Sequence, residues 1–490
     1  SLPGPGGAGE PEDIPELKPE REDPRLSWLT RSEARPIMTS PPGRSAAGAC
    51  PPFDEETGAR ARKGSRPMSH DDFLTELGLN VPLHRTFFDA IDRSFERTVL
   101  SRRDRPARMA YFDGVVRGAH GERVREIAAR REAGDKFVGT FCIYVPEEIV
   151  LALGAVPVAL CGGTAASIPY AETMLPRDIC PLVKSTLGLA LSNTCPYGPI
   201  EDLAVGETTC DAKKKTWDLL ASDGGFHVLE VPQKKGPLDR DLWREEVREF
   251  RARLEELTGR RLEPGALAAA VRLMNRKRRA LARLNDFRRE AAPPISGLDA
   301  LVVMQGALVD DTLRFTERLE ELNDELAERV RHGAGVAPPG ARRIMVSGCP
   351  SVMGNWKVHA LVESAGAIVV CDETCTGSRY YENLVTEVDA GLDAQLDAVA
   401  DRYMAIECSC FSPNAERLES VVRLARDFRV NGVLQYVLQY CHTYDIEAAA
   451  VADILKEAGV PSLKIVTDYA EEDTGPLRLR IDAFLEGLGR

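Results

Sequence analysis

The sequence predicts an α/β protein: two parallel-sheet domains facing a common cleft, joined by a helical layer and preceded by a disordered lead. Three observations predict it. Short apolar β-type runs alternate with helical patterns in two separate stretches, which is how parallel sheets are written. Long segments with apolar residues three and four apart lie between those stretches. The opening 67 residues are rich in Pro, Gly, Arg and Glu and carry little apolar periodicity, so they cannot bury enough surface to offset the entropy of ordering.

Residues 1–67 are therefore set apart as the disordered lead. Residues 68–133 read as a leading helical segment, with Phe73, Leu74, Leu77, Phe87, Phe88, Ile91 and Phe95 at helical spacing. The first α/β domain is assigned to 134–237. Its strand 136–144 is followed by a helix at 146–153 that opens on a proline and two glutamates, and then by a strand at 156–160. That βαβ unit implies a parallel pair, and strands at 202–206 and 226–231 extend it. Residues 238–340 form the helical layer, in three amphipathic segments marked by Trp243 to Leu254, Leu267 to Met274 and Leu313 to Leu322, ended by a Gly/Pro-rich break at 333–340. The second domain, 341–490, alternates strands at 343–348, 367–371, 403–408, 432–441 and 462–468 with helices. Both domains follow a Rossmann-like plan, without a residue-level repeat between them.

A formal net charge of −13 argues against a nucleic-acid partner, which needs a concentrated basic face; the basic run Arg276 to Arg283 falls in a helical pattern and reads as a solvated face. No run of 18 apolar residues spans a bilayer, and no secretory signal is recognisable, so a cytoplasmic location is expected. Twelve cysteines in a chain of 490 residues with ample apolar content do not suggest a disulfide framework, and in a reducing compartment they point to metal binding or catalysis.

Where the cysteines fall is informative. Ligands of open parallel sheets bind beyond the carboxyl ends of the strands. Cys349, Cys371, Cys375, Cys408, Cys410 and Cys441 follow strands of the second domain, and Cys142, Cys161 and Cys210 follow strands of the first. Cys180 and Cys195 sit in a connection, and Cys50 lies in the lead. Any single one of these reads equally well as a small core residue. Zinc prefers C-x2-C pairs, and the tight spacings here are C-x-C at Cys408 and Cys410 and C-x3-C at Cys371 and Cys375. Iron–sulfur clusters accept thiols scattered in sequence, so a cluster is the preferred reading of the set.

The same residues carry a family resemblance. Leu175-Pro-Arg-Asp-Ile-Cys-Pro-Leu-Val-Lys-Ser, Cys195-Pro-Tyr, Gly206-Glu-Thr-Thr-Cys-Asp-Ala-Lys-Lys-Lys, Ser347-Gly-Cys-Pro, Thr374-Cys-Thr-Gly-Ser-Arg, Cys408-Ser-Cys-Phe-Ser-Pro-Asn and Gln439-Tyr-Cys-His-Thr-Tyr resemble the 2-hydroxyacyl-CoA dehydratase family. That family includes 2-hydroxyglutaryl-CoA dehydratase D-component-like proteins, benzoyl-CoA reductase subunits and double-cubane cluster proteins. The resemblance implies that Cys180, Cys210 and Cys441 hold a 4Fe-4S cluster with one open iron. Cys349, Cys375, Cys408 and Cys410 are then surplus, which resembles the homodimeric double-cubane branch, with eight irons on six cysteines. Cys142, Cys161 and Cys195 stay open as further ligands or core residues.

The family is reduced by a separate ATP-hydrolysing iron–sulfur activator, and no P-loop motif stands in this sequence. The resemblance thus implies a low-potential reductase of a small unsaturated substrate. A dehydratase subunit acting on a 2-hydroxyacyl-CoA is the alternative, and a non-catalytic electron carrier is the reading from another class. Secondary candidates for chemistry are Glu147 and Glu148, also explained by the helix dipole, His442 beside Cys441, and Arg379, also explained as an ion pair.

Overall fold

In a computed structural model, which describes residues 68–160, 162–221 and 225–488, the two stretches of alternating pattern form two four-stranded parallel sheets. The first runs β2-β1-β3-β4, with β1 at Lys136–Thr140, β2 at Ala155–Ala159, β3 at Leu203–Glu207 and β4 at Phe226–Leu229. The second runs β6-β5-β7-β8, with β5 at Arg343–Gly348, β6 at Ile368–Glu373, β7 at Gly432–Leu438 and β8 at Ser462–Thr467. The plan is the same in both. The first strand is central, the second pairs on one side, and the chain then crosses to the other side, creating a switch point between β1 and β3 and another between β5 and β7.

The central strands are buried on both faces, β7 along its whole length, so they read as continuous apolar runs. The edge strands β4 and β8 keep exposed positions. Gly348, the last residue of β5, has φ +136°, and a Cβ there would stand 2.0 Å from the Tyr436 carbonyl oxygen on β7. Only glycine fits so close a backbone approach, and it delivers the chain to Cys349.

Between the sheets lie four helices, Pro237–Thr258, Pro264–Phe287, Gly297–Ala307 and Thr312–Arg331, rather than three. Gly297–Ala307 is buried on every side and therefore has no amphipathic signature to betray it. Sequence also assigns a strand to 403–408, and here the structure corrects it. The helix Leu392–Met404 covers its start, burying Leu396, Val399, Ala400, Tyr403 and Met404, and a turn follows; Cys408 and Cys410 leave that turn and not a strand. Cys371 lies within β6 instead of beyond it.

The basic run Arg276 to Arg283 is solvated only in part. Arg276 pairs with Glu320 at the surface, but Lys277 and Arg278 are buried. Cys50, Cys161 and the 1–67 lead fall outside the described residues. Among the described residues no helix is long and apolar enough to cross a membrane.

Candidate thiol centre

A cavity of about 790 Å³ opens beyond the carboxyl ends of the strands and reaches both sheets. Among the described residues eight thiols line it, Cys142, Cys180, Cys210, Cys349, Cys375, Cys408, Cys410 and Cys441, in two groups.

The first group gathers Cys180, Cys349 and Cys441 in one apolar cluster, with Cys210 close enough to interact electrostatically with Cys180 and Cys441. Three of these four are helix N-caps: Cys180 before Pro181–Leu191, Cys210 before Asp211–Leu220, and Cys441 before His442–Glu457. The free N–H groups and positive dipole ends of three helices thus converge on sulfur. Lys213 N–H donates to Cys210 Sγ at 3.5 Å, and Leu438 N–H to Cys349 Sγ at 3.3 Å. Hydrogen bonds from Cys180 and Cys349 hold the Cys441 thiol well below its ordinary value. The bond to Cys441 pushes Cys180 up, burial pushes Cys349 up, and burial raises Cys210 to about 11.

The second group, Cys142, Cys375, Cys408 and Cys410, packs against a different apolar cluster. Here side chains do the stabilising. Arg379 Nη1 lies 4.0 Å from Cys375 Sγ, Tyr144 Oη 3.9 Å from Cys410 Sγ, and Tyr444 Oη 3.9 Å from Cys408 Sγ. A hydrogen bond from Cys410 lowers Cys408 to about 6 and pushes Cys410 up, while burial pushes Cys142 and Cys375 up. Tyr444 spans the two groups, its backbone N–H on Cys441 and its hydroxyl on Cys408.

The donor set is all sulfur, and among the described residues no three His, Cys, Asp or Glu side chains close around a point suited to one metal ion. Soft thiolates standing in two groups beside amide donors fit an iron–sulfur cluster, in which each thiolate takes its own iron, better than a single cation.

Cys180, Cys210 and Cys441 come together, but Cys349, grouped by sequence with Cys375, Cys408 and Cys410, stands with Cys441 instead. Its place in the second group is taken by Cys142. Cys195 packs with Phe137, Val156 and Tyr197 away from both groups, and Cys371 sits in the core around Met345 and Val433.

Glu148 is fully buried in an ion pair with Arg278 at 2.6 Å and accepts a hydrogen bond from Tyr403 Oη at 2.8 Å, a structural role. Glu147 lines the cavity and accepts from Tyr380 Oη at 2.9 Å. Arg379 is buried on Glu373, and His442 is exposed at the cavity edge. Sequence reasoning passes over Lys277, Tyr144 and Tyr444. The last two are legible only as aromatic residues two or three positions from a cysteine.

The model of the 2-hydroxyglutaryl-CoA dehydratase D-component matches residues 142–488, a span that begins at the first cavity thiol. The chain belongs to that family. It is 39% identical over 366 residues to YjiM, a candidate dehydratase subunit of Escherichia coli (strain K12), covering 73% of this chain and 93% of that one. It is 24% identical to the (R)-phenyllactyl-CoA dehydratase beta subunit of Clostridium sporogenes, over 73% and 93% of the two chains. To a benzoyl-CoA reductase subunit of Thauera aromatica it is 23% identical, over 72% and 91%. Its family is one of dehydratase and reductase subunits, and this member is an enzyme.

Proposed function

We propose that this chain is a cytoplasmic, homodimeric iron–sulfur reductase that takes low-potential electrons from a separate ATP-hydrolysing activator and passes them to a small unsaturated substrate. The observation that carries the reading is the pair of thiol groups on one cavity, eight sulfurs where a single open cubane needs three. When bound, a cluster of this kind supplies single electrons at low potential and, where an iron lacks a thiolate, a position for substrate.

The chain's own residues do the rest. Cys180, Cys349 and Cys441, with Cys210 beside them, would hold one cubane, and Cys142, Cys375, Cys408 and Cys410 would provide the ligands of the other. Helix N-termini offset negative charge at the first group, and Arg379 does so at the second. Each group draws thiols from both α/β domains, 134–237 and 341–490, so the domains act as two jaws of the site.

Iron and sulfide content per chain of anaerobically purified protein tests the reading. About eight irons are expected, since each cubane holds about four. A value near four favours the alternative, a (R)-2-hydroxyacyl-CoA dehydratase subunit with an unlike partner, which the names of the relatives support. Failure of cyanide to bind the reduced protein would favour a non-catalytic electron carrier.

A further inference from the structure

Among the described residues that line the cavity, Lys277 is a fully buried ammonium. Lys277 is 1% exposed in the middle of the helix Pro264–Phe287, yet it lines the cavity. An ammonium has three donors. Among the described residues two oxygens meet them, the Ala307 carbonyl at 2.7 Å and Glu147 Oε2 at 3.5 Å. The rings of Tyr380 and Phe315 flank it at 5.1 and 5.7 Å.

The position is specific. Glu147 follows Cys142 by five residues, and Tyr380, which donates to Glu147, follows Cys375 by five. The two segments that carry thiols of the second group therefore also carry two of the groups around the lysine, Glu147 and Tyr380. Burial pulls the ammonium below its ordinary value, opposed by the Glu147 carboxylate and by Asp310, while neighbouring Arg278 adds to the lowering. A lysine desolvated in this way gives up its proton more readily than one at the surface.

We propose that Lys277 is the proton donor of the cavity, the acid that completes each electron transfer to substrate. The proposal rests on the iron–sulfur reductase reading above. An iron–sulfur cluster held by the cavity thiolates would supply single electrons, drawn from the low-potential donor protein, to the unsaturated bond of the substrate. The proton on Lys277 Nζ moves to the atom bearing the new charge, leaving a neutral amine, and the π bond is lost as the new bond to hydrogen forms. A second electron and proton complete the two-electron reduction. The amine is recharged from water entering the cavity, beside Glu147 and Tyr380.

The test compares wild-type holoprotein with Lys277→Arg, Lys277→Met and Glu147→Gln. The midpoint potential of the cofactor is followed by electron paramagnetic resonance between about pH 6 and the ordinary lysine value of 10.5. A charged Lys277 favours the reduced cofactor, so the wild-type potential should fall as pH rises through its titration. It should be flat in Lys277→Arg, which stays charged, and flat and lower in Lys277→Met. In Glu147→Gln the fall should move to lower pH, because the carboxylate favours the ammonium.

Turnover of acetylene, used as a small unsaturated probe, should drop about 100-fold or more in Lys277→Arg although its charge and potential are kept. Rescue of turnover by arginine, or a wild-type potential independent of pH, would overturn the proposal. Absence of any iron–sulfur signal from the wild-type protein would instead overturn the reductase reading on which it rests.

Discussion

Arg379 offers the sharpest test of how the second thiol group is supported. Its guanidinium is 1% exposed and donates from Nε to Glu373 Oε1 at 2.8 Å, from Nη1 to the Gly348 carbonyl at 3.0 Å and from Nη2 to the Glu373 carbonyl at 3.0 Å, besides Tyr444 Oη and Cys375 Sγ. Glu373 is equally buried and is shared with Arg417 at 3.0 Å and Ser347 at 2.6 Å. Arg379→Met keeps most of the volume and removes the charge. Breaking one arm of a buried pair typically costs about 3 to 5 kcal/mol, most of it from the partner left uncompensated. Each carbonyl stripped of its donor costs about 1 to 3 kcal/mol when considered alone. Arg417 and Ser347 still serve Glu373, which offsets part of the pair's cost, so the loss comes to at least about 3 kcal/mol.

Urea unfolding of the variant should be compared with that of Arg318→Met, whose surface pair with Glu321 contributes less than about 1 kcal/mol. The effect should also shrink in acid. Burial pushes Glu373 up, but Arg379 and Arg417 outweigh it and hold the carboxyl below its ordinary 4.5, so this stability is complete above that value and is lost as pH falls through the lower folded one. An Arg379→Met variant within about 1 kcal/mol of wild type at pH 7 would refute the account of the buried pair.

Three further outcomes follow from the same geometry. Cys441→Ala and Cys408→Ala should each remove about half of the bound iron, about four of eight, whereas Cys195→Ala and Cys371→Ala should leave iron analysis unchanged. Gly348→Ala should destabilise the fold by more than about 1 kcal/mol, because a positive φ and a clash with the Tyr436 carbonyl act together, and circular dichroism on heating would detect it. Glu201 has a buried oxygen without a hydrogen-bond partner among the described residues, and burial raises its carboxyl to about 8. The folded state keeps a proton that the unfolded chain releases above about 4.5, so stability is lost as pH rises between those values. Glu201→Gln should stabilise the protein by about 1 to 4 kcal/mol at pH 8 and flatten that slope in denaturant titrations.

What sequence made legible was whatever repeats with a period. The strands of both sheets begin at or beside their predicted starts because they are short apolar runs between turns, and β2, β3 and β6 are each displaced by a single residue. The segment 403–408 misleads because Tyr403, Met404 and Ile406 are apolar in near-alternation, although Tyr403 and Met404 belong to the buried face of a helix already begun at Leu392. Strand ends told that Cys142, Cys210, Cys349, Cys375 and Cys441 approach the cavity, but Cys180, Cys408 and Cys410 reach it from a connection and a turn, Cys371 stays inside β6, and the partition into two groups depends on contacts remote in sequence. The contact of Tyr144 Oη with the Ile406 carbonyl is one of them, across 262 residues of sequence. Lys277 was hidden for a related reason. A charge in a basic helical run is ordinarily solvated, and only the packing of Glu147, Tyr380 and Phe315 buries this one.

The mixed origin of the two thiol groups bears on how the protein is made. The first needs Cys441 and the second needs Cys408 and Cys410, while their remaining members begin at Cys142. A ribosome-bound chain that has emerged only as far as the helical layer therefore offers isolated cysteines and no completed nest for a cofactor. On the proposed cluster reading, loading would follow translation, when Cys408, Cys410 and Cys441 have joined the thiols of the first sheet, and a chain cut short in the helical layer would not retain the cofactor.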